Sequence, residues 1–237
     1  MGRPRYRKSA MEGLLIVDKP LGWTSMDVVR RVRKAAGWVK TGHAGTLDPL
    51  ATGVIVCCVG NATKSVERLM GLEKTYDSTF DLSAFTTTDD REGERTEVAV
   101  EEPPSEERVR EVLDTFLGDI EQVPPQFSAV HVEGKRAYKL ARDGQKVEIK
   151  ARTVHVESIE LLEYAWPIVR VLVKCGRGTY VRSMARDVGV ALGTGGHLAG
   201  LRRTAVGPYT LEGAADAERL LLPIMQHDLL DVPPKEA

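Results

Sequence analysis

Residues 75 to 84, Thr75-Tyr76-Asp77-Ser78-Thr79-Phe80-Asp81-Leu82-Ser83-Ala84, decide the fold class. Tyr76, Ser78, Phe80, Leu82 and Ala84 alternate with Thr75, Asp77, Thr79, Asp81 and Ser83. A period of two with one polar face describes a strand with one side in water, which belongs to an antiparallel sheet. Upstream, Leu14-Leu15-Ile16-Val17 and Val54-Ile55-Val56-Cys57-Cys58-Val59 are unbroken apolar runs, as expected of strands buried on both faces. Between them, Thr24 followed by Asp27 fits a capping box, and Val28, Val29, Val32 and Ala36 supply a helical stripe. A short helix is expected from about Thr63 to Met70.

Downstream, the acidic stretch after Thr86 reads as a loop. Val109, Val112, Leu113, Phe116 and Leu117 sit at helical spacing. Strands return near Val154 to Leu162 and Ile168 to Cys175. A helix from Tyr180 to Leu192 is closed by Gly193. A strand near Leu201 to Val206 and a helix near Ala214 to Leu222 complete an expected mixed α/β (α+β) fold with a largely antiparallel central sheet and flanking helices. Residues 122–152 stand apart. They hold Pro124-Pro125, a turn at Glu133-Gly134, and Lys135, Arg136, Lys139, Arg142, Lys146 and Lys150. This reads as a basic insertion, an excursion from the main sheet, in one domain over 13–237 preceded by a basic tail over 1–12.

Composition narrows the function classes. The 237 residues are 42% hydrophobic and 28% charged, with a formal net charge of −1. This is the balance of an ordinary globular protein, and a chain of this length needs no metal or disulfide staple. No apolar run approaches the roughly 18 residues of a membrane span, and no signal segment follows the basic N-terminus. Three cysteines, two of them adjacent, point to reduced thiols and a cytoplasmic protein. The near-neutral balance by itself disfavours nucleic acid, but the basic tail and the basic insertion override the sum locally, unless both are merely solvated surface.

Metal chemistry finds no support, because His43, His131, His155, His197 and His227 are dispersed. Gly193-Thr194-Gly195-Gly196 follows a helix instead of opening one, so it reads as a C-cap and turn and not as a phosphate loop. Two stretches remain. In Gly42-His43-Ala44-Gly45-Thr46-Leu47-Asp48-Pro49-Leu50-Ala51-Thr52-Gly53, three glycines, a histidine and an aspartate precede a buried strand. Pro49 biases Asp48 toward an extended conformation. Asp48 either stands over a cleft or caps a turn. In Gly176-Arg177-Gly178-Thr179-Tyr180-Val181-Arg182, a strand meets a helix, with Tyr180 and Arg182 in the first turn. Arg182 is either a solvated surface charge or a partner that would keep Asp48 ionised despite burial.

Together these stretches resemble the bacterial tRNA pseudouridine-55 synthases of the TruB type. The resemblance runs from about Gly13 to Ala215. It rests on six blocks in order: Asp18-Lys19-Pro20-Leu21-Gly22-Trp23-Thr24-Ser25, Gly42 to Gly53, Lys74-Thr75-Tyr76, Gln122-Val123-Pro124-Pro125-Gln126-Phe127-Ser128-Ala129, Gly176 to Arg186, and Leu201-Arg202-Arg203. The resemblance implies isomerisation of one uridine of the TΨC loop to pseudouridine, without cofactor or metal. It implies Asp48 as catalytic carboxylate and Arg182 as its partner. Tyr76 is implied to be catalytic too, stacking on the target base and helping to remove the C5 proton, with core packing on the apolar face of its strand as the alternative. Tyr180 and Leu201 are implied to line the uracil pocket, and His43 to contact the RNA near the flipped nucleotide. The basic insertion corresponds to the family's RNA-gripping thumb. The implied partner is tRNA through its TΨC stem–loop, with no membrane and no obligate protein partner.

Two departures stand out. Relatives commonly carry Leu-Gly and then Thr-Asp-Thr after the tyrosine strand, where this chain has Leu82-Ser83-Ala84-Phe85-Thr86-Thr87-Thr88, leaving open the role of the loop from Ser83 to Asp90. Many relatives also continue into a small PUA-type domain, and no full one is expected within 237 residues. The rival readings are a non-catalytic tRNA-binding folding aid, which Asp48, Tyr76 and Arg182 argue against, and a related synthase acting on another RNA.

Overall fold

The computed structural model describes residues 11–128, 130–132, 135–136 and 148–234. A large, mostly antiparallel sheet accompanied by helices makes a mixed α+β fold. The chain divides into two compact units, one built from the chain up to Thr75 and from Arg202 onward, the other from Tyr76–Leu201.

The first unit opens with β1 (Gly13–Lys19), whose apolar run is buried almost throughout. The following helix, α1 (Ser25–Ala35), starts at the expected capping box. Asp27 N–H donates to Thr24 Oγ1 at 3.1 Å, and Thr24 N–H donates to Asp27 Oδ2 at 2.9 Å. Val28, Val29 and Val32 form its buried stripe. Short β2 (Thr41–His43) leads through the glycine-rich loop into β3 (Thr52–Val59). β3 lies antiparallel to β1, with Gly13 opposite Val59 and Lys19 opposite Gly53. A 3₁₀ segment (Gly60–Ser65) and α2 (Val66–Met70) divide the expected single helix in two.

The second unit begins within β4 (Lys74–Asp81). Ser78, Phe80, Leu82 and Ala84 are fully buried, so the alternation sorts core from solvent as expected. The acidic stretch after Thr86 is not all loop, because β5 (Ala84–Thr86) pairs with β6 (Arg95–Glu97). Helix α3 (Glu106–Asp114) buries Val109, Val112 and Leu113 and ends before Phe116 and Leu117. Next come β7 (Gly118–Gln122), β8 (His131–Val132) and β9 (Lys135–Arg136), then the long hairpin of β10 (Arg152–Ala165) and β11 (Ile168–Cys175). β10 lies antiparallel to both β11 and β7. Of the basic insertion, Lys139, Arg142 and Lys146 fall outside the described residues, and Lys150 is exposed. Helix α4 (Val181–Leu192) ends at Gly193, whose φ of +72° is the left-handed C-cap a glycine permits. Gly195 then passes against the backbone of Ala84 too closely for any Cβ, which makes this glycine run a cap and a close crossing.

Strand β12 (His197–Val206) leaves the second unit at Leu201. Its later residues lie parallel to β3 in the first unit, with Arg202 opposite Thr52 and Arg203 opposite Gly53. β13 (Tyr209–Thr210) folds back on it. Leu14, Ile16, Val54, Val56, Cys58, Leu69 and Val206 form the core there. Cys57 and Cys58 are free and buried, and burial pushes the Cys58 thiol up to about 11. The helix expected over Ala214 to Leu222 is absent. Only Arg219–Leu221 form a 3₁₀ turn. Ala215 instead pairs with β1: its N–H donates to Ile16 O at 2.8 Å, and its carbonyl accepts from Asp18 N–H at 2.9 Å. Backbone groups used at a sheet edge are not free to build a helix.

Candidate active site

The loop that carries Asp48 is held from several directions within the first unit. Ser25, at the start of α1, uses one hydroxyl twice: it donates to Leu47 O at 3.0 Å and accepts from Leu47 N–H at 2.9 Å. Gly22 N–H donates to Pro49 O at 2.9 Å, and Ala51 N–H donates to Asp48 O at 3.1 Å. Asp48 therefore opens a turn through its main chain, and its side chain is half-buried.

Lys19 closes the same region from β1. It is fully buried, and its Nζ donates to Trp23 O at 2.7 Å, Pro20 O at 3.0 Å and Pro49 O at 3.4 Å. Burial lowers its pKa from the ordinary 10.5 to about 8, against the charge of Asp48, which raises it. Arg203 adds a second buried cation and pushes Lys19 in the same downward direction as burial. His43, at the end of β2, is lowered by burial first and by Arg203 second.

The Lys19 shift fixes the sign of a stability effect. Between pH 8 and 10.5 the folded chain has released a proton that the unfolded chain still binds, so folding becomes more favourable as pH rises through this window. Below it both states are protonated, and the cost of burying the charge is fully present. Relative to Lys19→Met, the parent should gain up to ~3 kcal/mol across the window, measured by denaturant unfolding. A stability difference that stays flat with pH would contradict a buried, depressed lysine.

The second unit holds the other predicted residues. Tyr76 and Leu201 are the first and last residues of that unit, and both are half-buried. Tyr180 is the N-cap of α4. Its backbone is gripped by the buried Gln122, which donates through Nε2 to Tyr180 O at 3.1 Å and accepts Tyr180 N–H at 2.7 Å. The Arg152 guanidinium lies 4.9 Å from the centre of the Tyr180 ring, within cation–π range. Arg182 is no surface charge, being only 5% exposed. Its Nη1 sits 3.2 Å from Asp90 Oδ2 and donates to Thr88 O at 3.2 Å, and its Nη2 donates to Phe127 O at 3.1 Å.

Asp90 is the residue that sequence reasoning missed. It too is buried, and it accepts from Thr88 Oγ1 at 2.6 Å and Glu92 N–H at 3.0 Å. The loop from Ser83 to Asp90 thus supplies a carboxylate to Arg182. The available signal was a pair of acids, Asp89-Asp90, directly after three threonines able to hold one of them. Its neighbour Asp89 pairs with Arg186 at 2.7 Å, and burial raises the Asp89 pKa against that pairing. Among the described residues, no His, Cys, Asp or Glu side chains gather into a group suited to a metal.

Comparison with known proteins decides the family. Residues 33–181 match the model of the TruB family pseudouridylate synthase N-terminal domain, and residues 182–231 match that of the tRNA pseudouridylate synthase B C-terminal domain. The chain belongs to the TruB family. Among TruB relatives, the tRNA pseudouridine synthase B of Thermobifida fusca (strain YX) is 50% identical over 217 residues, covering 88% of this chain and 74% of the relative. The tRNA pseudouridine synthase B of Parabacteroides distasonis (strain ATCC 8503) is 46% identical over 213 residues, covering 87% and 91%. A chain from the crystal structure of a Cbf5-Nop10-Gar1 complex superposes with a TM-score of 0.68 at 32% identity, over 87% of this chain and 52% of that one. The TruB chain described here thus spans about half the length of that solved chain. The first TruB match contains His43, Asp48, Tyr76 and Tyr180, and the second contains Arg182 and Leu201.

Proposed function

We propose that this TruB-family enzyme isomerises the uridine at position 55 of the TΨC loop of tRNA, in the cytoplasm, with Asp48 as the reacting carboxylate. The family converts uridine to pseudouridine in tRNA. The supporting observation is the fixed loop of Asp48: Ser25, Gly22 and Lys19 hold the backbone on either side of it, at Leu47 and Pro49. In the reaction the N1–C1′ bond breaks, the base rotates, and C5 bonds to C1′. The C5 proton leaves and N1 regains one, so atoms balance without an oxidant or an external group. A carboxylate able to form a covalent intermediate divides this change into two easier steps.

The other residues take the roles that the resemblance implies. Tyr76 stacks on the target base, Tyr180 and Leu201 line the uracil, Arg182 steadies the reacting carboxylate, and His43 touches the RNA beside the flipped nucleotide. Flipping costs a few kcal/mol, which contacts to the RNA backbone repay. Lys135, Arg136, Lys139, Arg142, Lys146 and Lys150 are the phosphate contacts of the thumb, and their local charge outweighs the neutral total. No helix among the described residues is long and apolar enough to cross a membrane.

Chemical mapping of a tRNA transcript after incubation with the enzyme tests the substrate assignment. One new pseudouridine at position 55 is expected. Pseudouridine only at another position, or none anywhere, would refute it.

A further inference from the structure

Leu201-Arg202-Arg203 places two arginines side by side on β12, and a strand sends neighbouring side chains to opposite faces. Arg202 turns to solvent and pairs with Asp18 at 2.7 Å. Arg203 turns inward and is 1% exposed. Each nitrogen of its guanidinium meets a main-chain carbonyl of the loop region: Nε donates to Val54 O at 2.7 Å, Nη1 to Thr46 O at 3.2 Å, and Nη2 to Gly45 O at 3.2 Å. Gly45 and Thr46 precede Asp48, and Val54 follows it.

We infer that Arg203 is a positioning residue for this reaction, a clamp whose one guanidinium ties together both shoulders of the arch that carries Asp48. The inference rests on the reading of Asp48 as the reacting carboxylate. Burying a cation is costly unless it is hydrogen-bonded and compensated. Among the described residues Arg203 forms no ion pair, and it lies close enough to the buried Lys19 to lower that amine's pKa. An apolar side chain would fill the same strand position at less cost. What the arginine adds is a rigid planar fork whose three separate nitrogens each reach a different carbonyl, whereas a lysine brings all its donors to a single point. The backbone of the arch is fitted to the same residue. Gly53 has a φ of +105°, and a Cβ there would collide with the main chain of Arg203.

Arg203→Lys and Arg203→Gln test the clamp, with Asp48→Asn measured beside them. The readouts are the single-turnover rate, tRNA affinity, folding by circular dichroism, and the titration midpoint of His43 by NMR. R203K should fold and bind tRNA within about threefold of the parent, yet react about 30- to 100-fold more slowly, the scale of loss that a misplacement near 1 Å produces. R203Q should be at least as slow, and should also raise the His43 midpoint, because the arginine charge is one of the causes that lower it. R203K should keep that midpoint low. A parent-like rate in R203K, with D48N inactive, would overturn the clamp and leave the Asp48 reading intact. A parent-like rate in D48N would remove the Asp48 reading and the clamp's purpose with it. Loss of the folded state in both arginine variants would also overturn the inference, assigning the guanidinium to the whole unit and not to the loop.

Discussion

Asp48→Asn is expected to slow isomerisation by at least about a thousandfold while leaving tRNA affinity within a few fold. Removing an essential group from a site of covalent catalysis costs factors of this size or more, whereas binding to RNA draws mainly on phosphate contacts elsewhere. The variant should stay folded, because Leu47 and Pro49 keep their bonds to Ser25, Gly22 and Lys19. A second sign accompanies the loss. The Asp48 charge supports the protonated form of Lys19, so in the variant Lys19 should titrate below its value of about 8. Turnover above about a thousandth of the parent rate, with deamidation excluded by mass spectrometry, would remove Asp48 from the chemistry.

Arg182→Met should cost both stability and activity. It leaves Asp90 buried without its cation at 3.2 Å, and breaking one side of a buried pair costs ~3–5 kcal/mol. It also removes donors from Thr88 O and Phe127 O, which tether the loop from Ser83 to Asp90 and the segment after Gln122. Two roles are separable with a double variant. Arg182→Met with Asp90→Leu replaces the pair by apolar groups and should recover part of the stability, since buried pairs replaced whole are often neutral. Activity should remain lost, because the arginine also serves the reaction. Recovery of activity together with stability would reduce Arg182 to a structural role.

The sheet was legible because periodicity is a local property. Continuous apolar runs at Leu14 and Val54 became strands buried on both faces, and the alternation through Phe80 became a strand with one wet side. The capping box at Thr24 was likewise readable, since its partners are three residues apart. What escaped the sequence depends on long-range pairing. Ala214 to Leu222 has helical composition, but Ala215 spends its backbone on β1, far away in sequence. The same limit applied at the site. A buried Arg182 needs its carboxylate, and Asp90 lies in an acidic stretch where most neighbours are solvated, so composition gave no means of choosing it. Arg202 and Arg203 are equivalent as letters, and only the facing of β12 separates the exposed one from the buried one.

The most direct test of the account uses a tRNA transcript carrying tritium at C5 of uridine 55 alone. Forming the C5–C1′ bond obliges that tritium to leave, so release reports the isomerisation itself and not binding. The account predicts release of one tritium per tRNA by the parent enzyme, at a rate unchanged by a chelator, and its loss in Asp48→Asn. Tight binding of this tRNA with no release, or equal release by parent and Asp48→Asn, would contradict it.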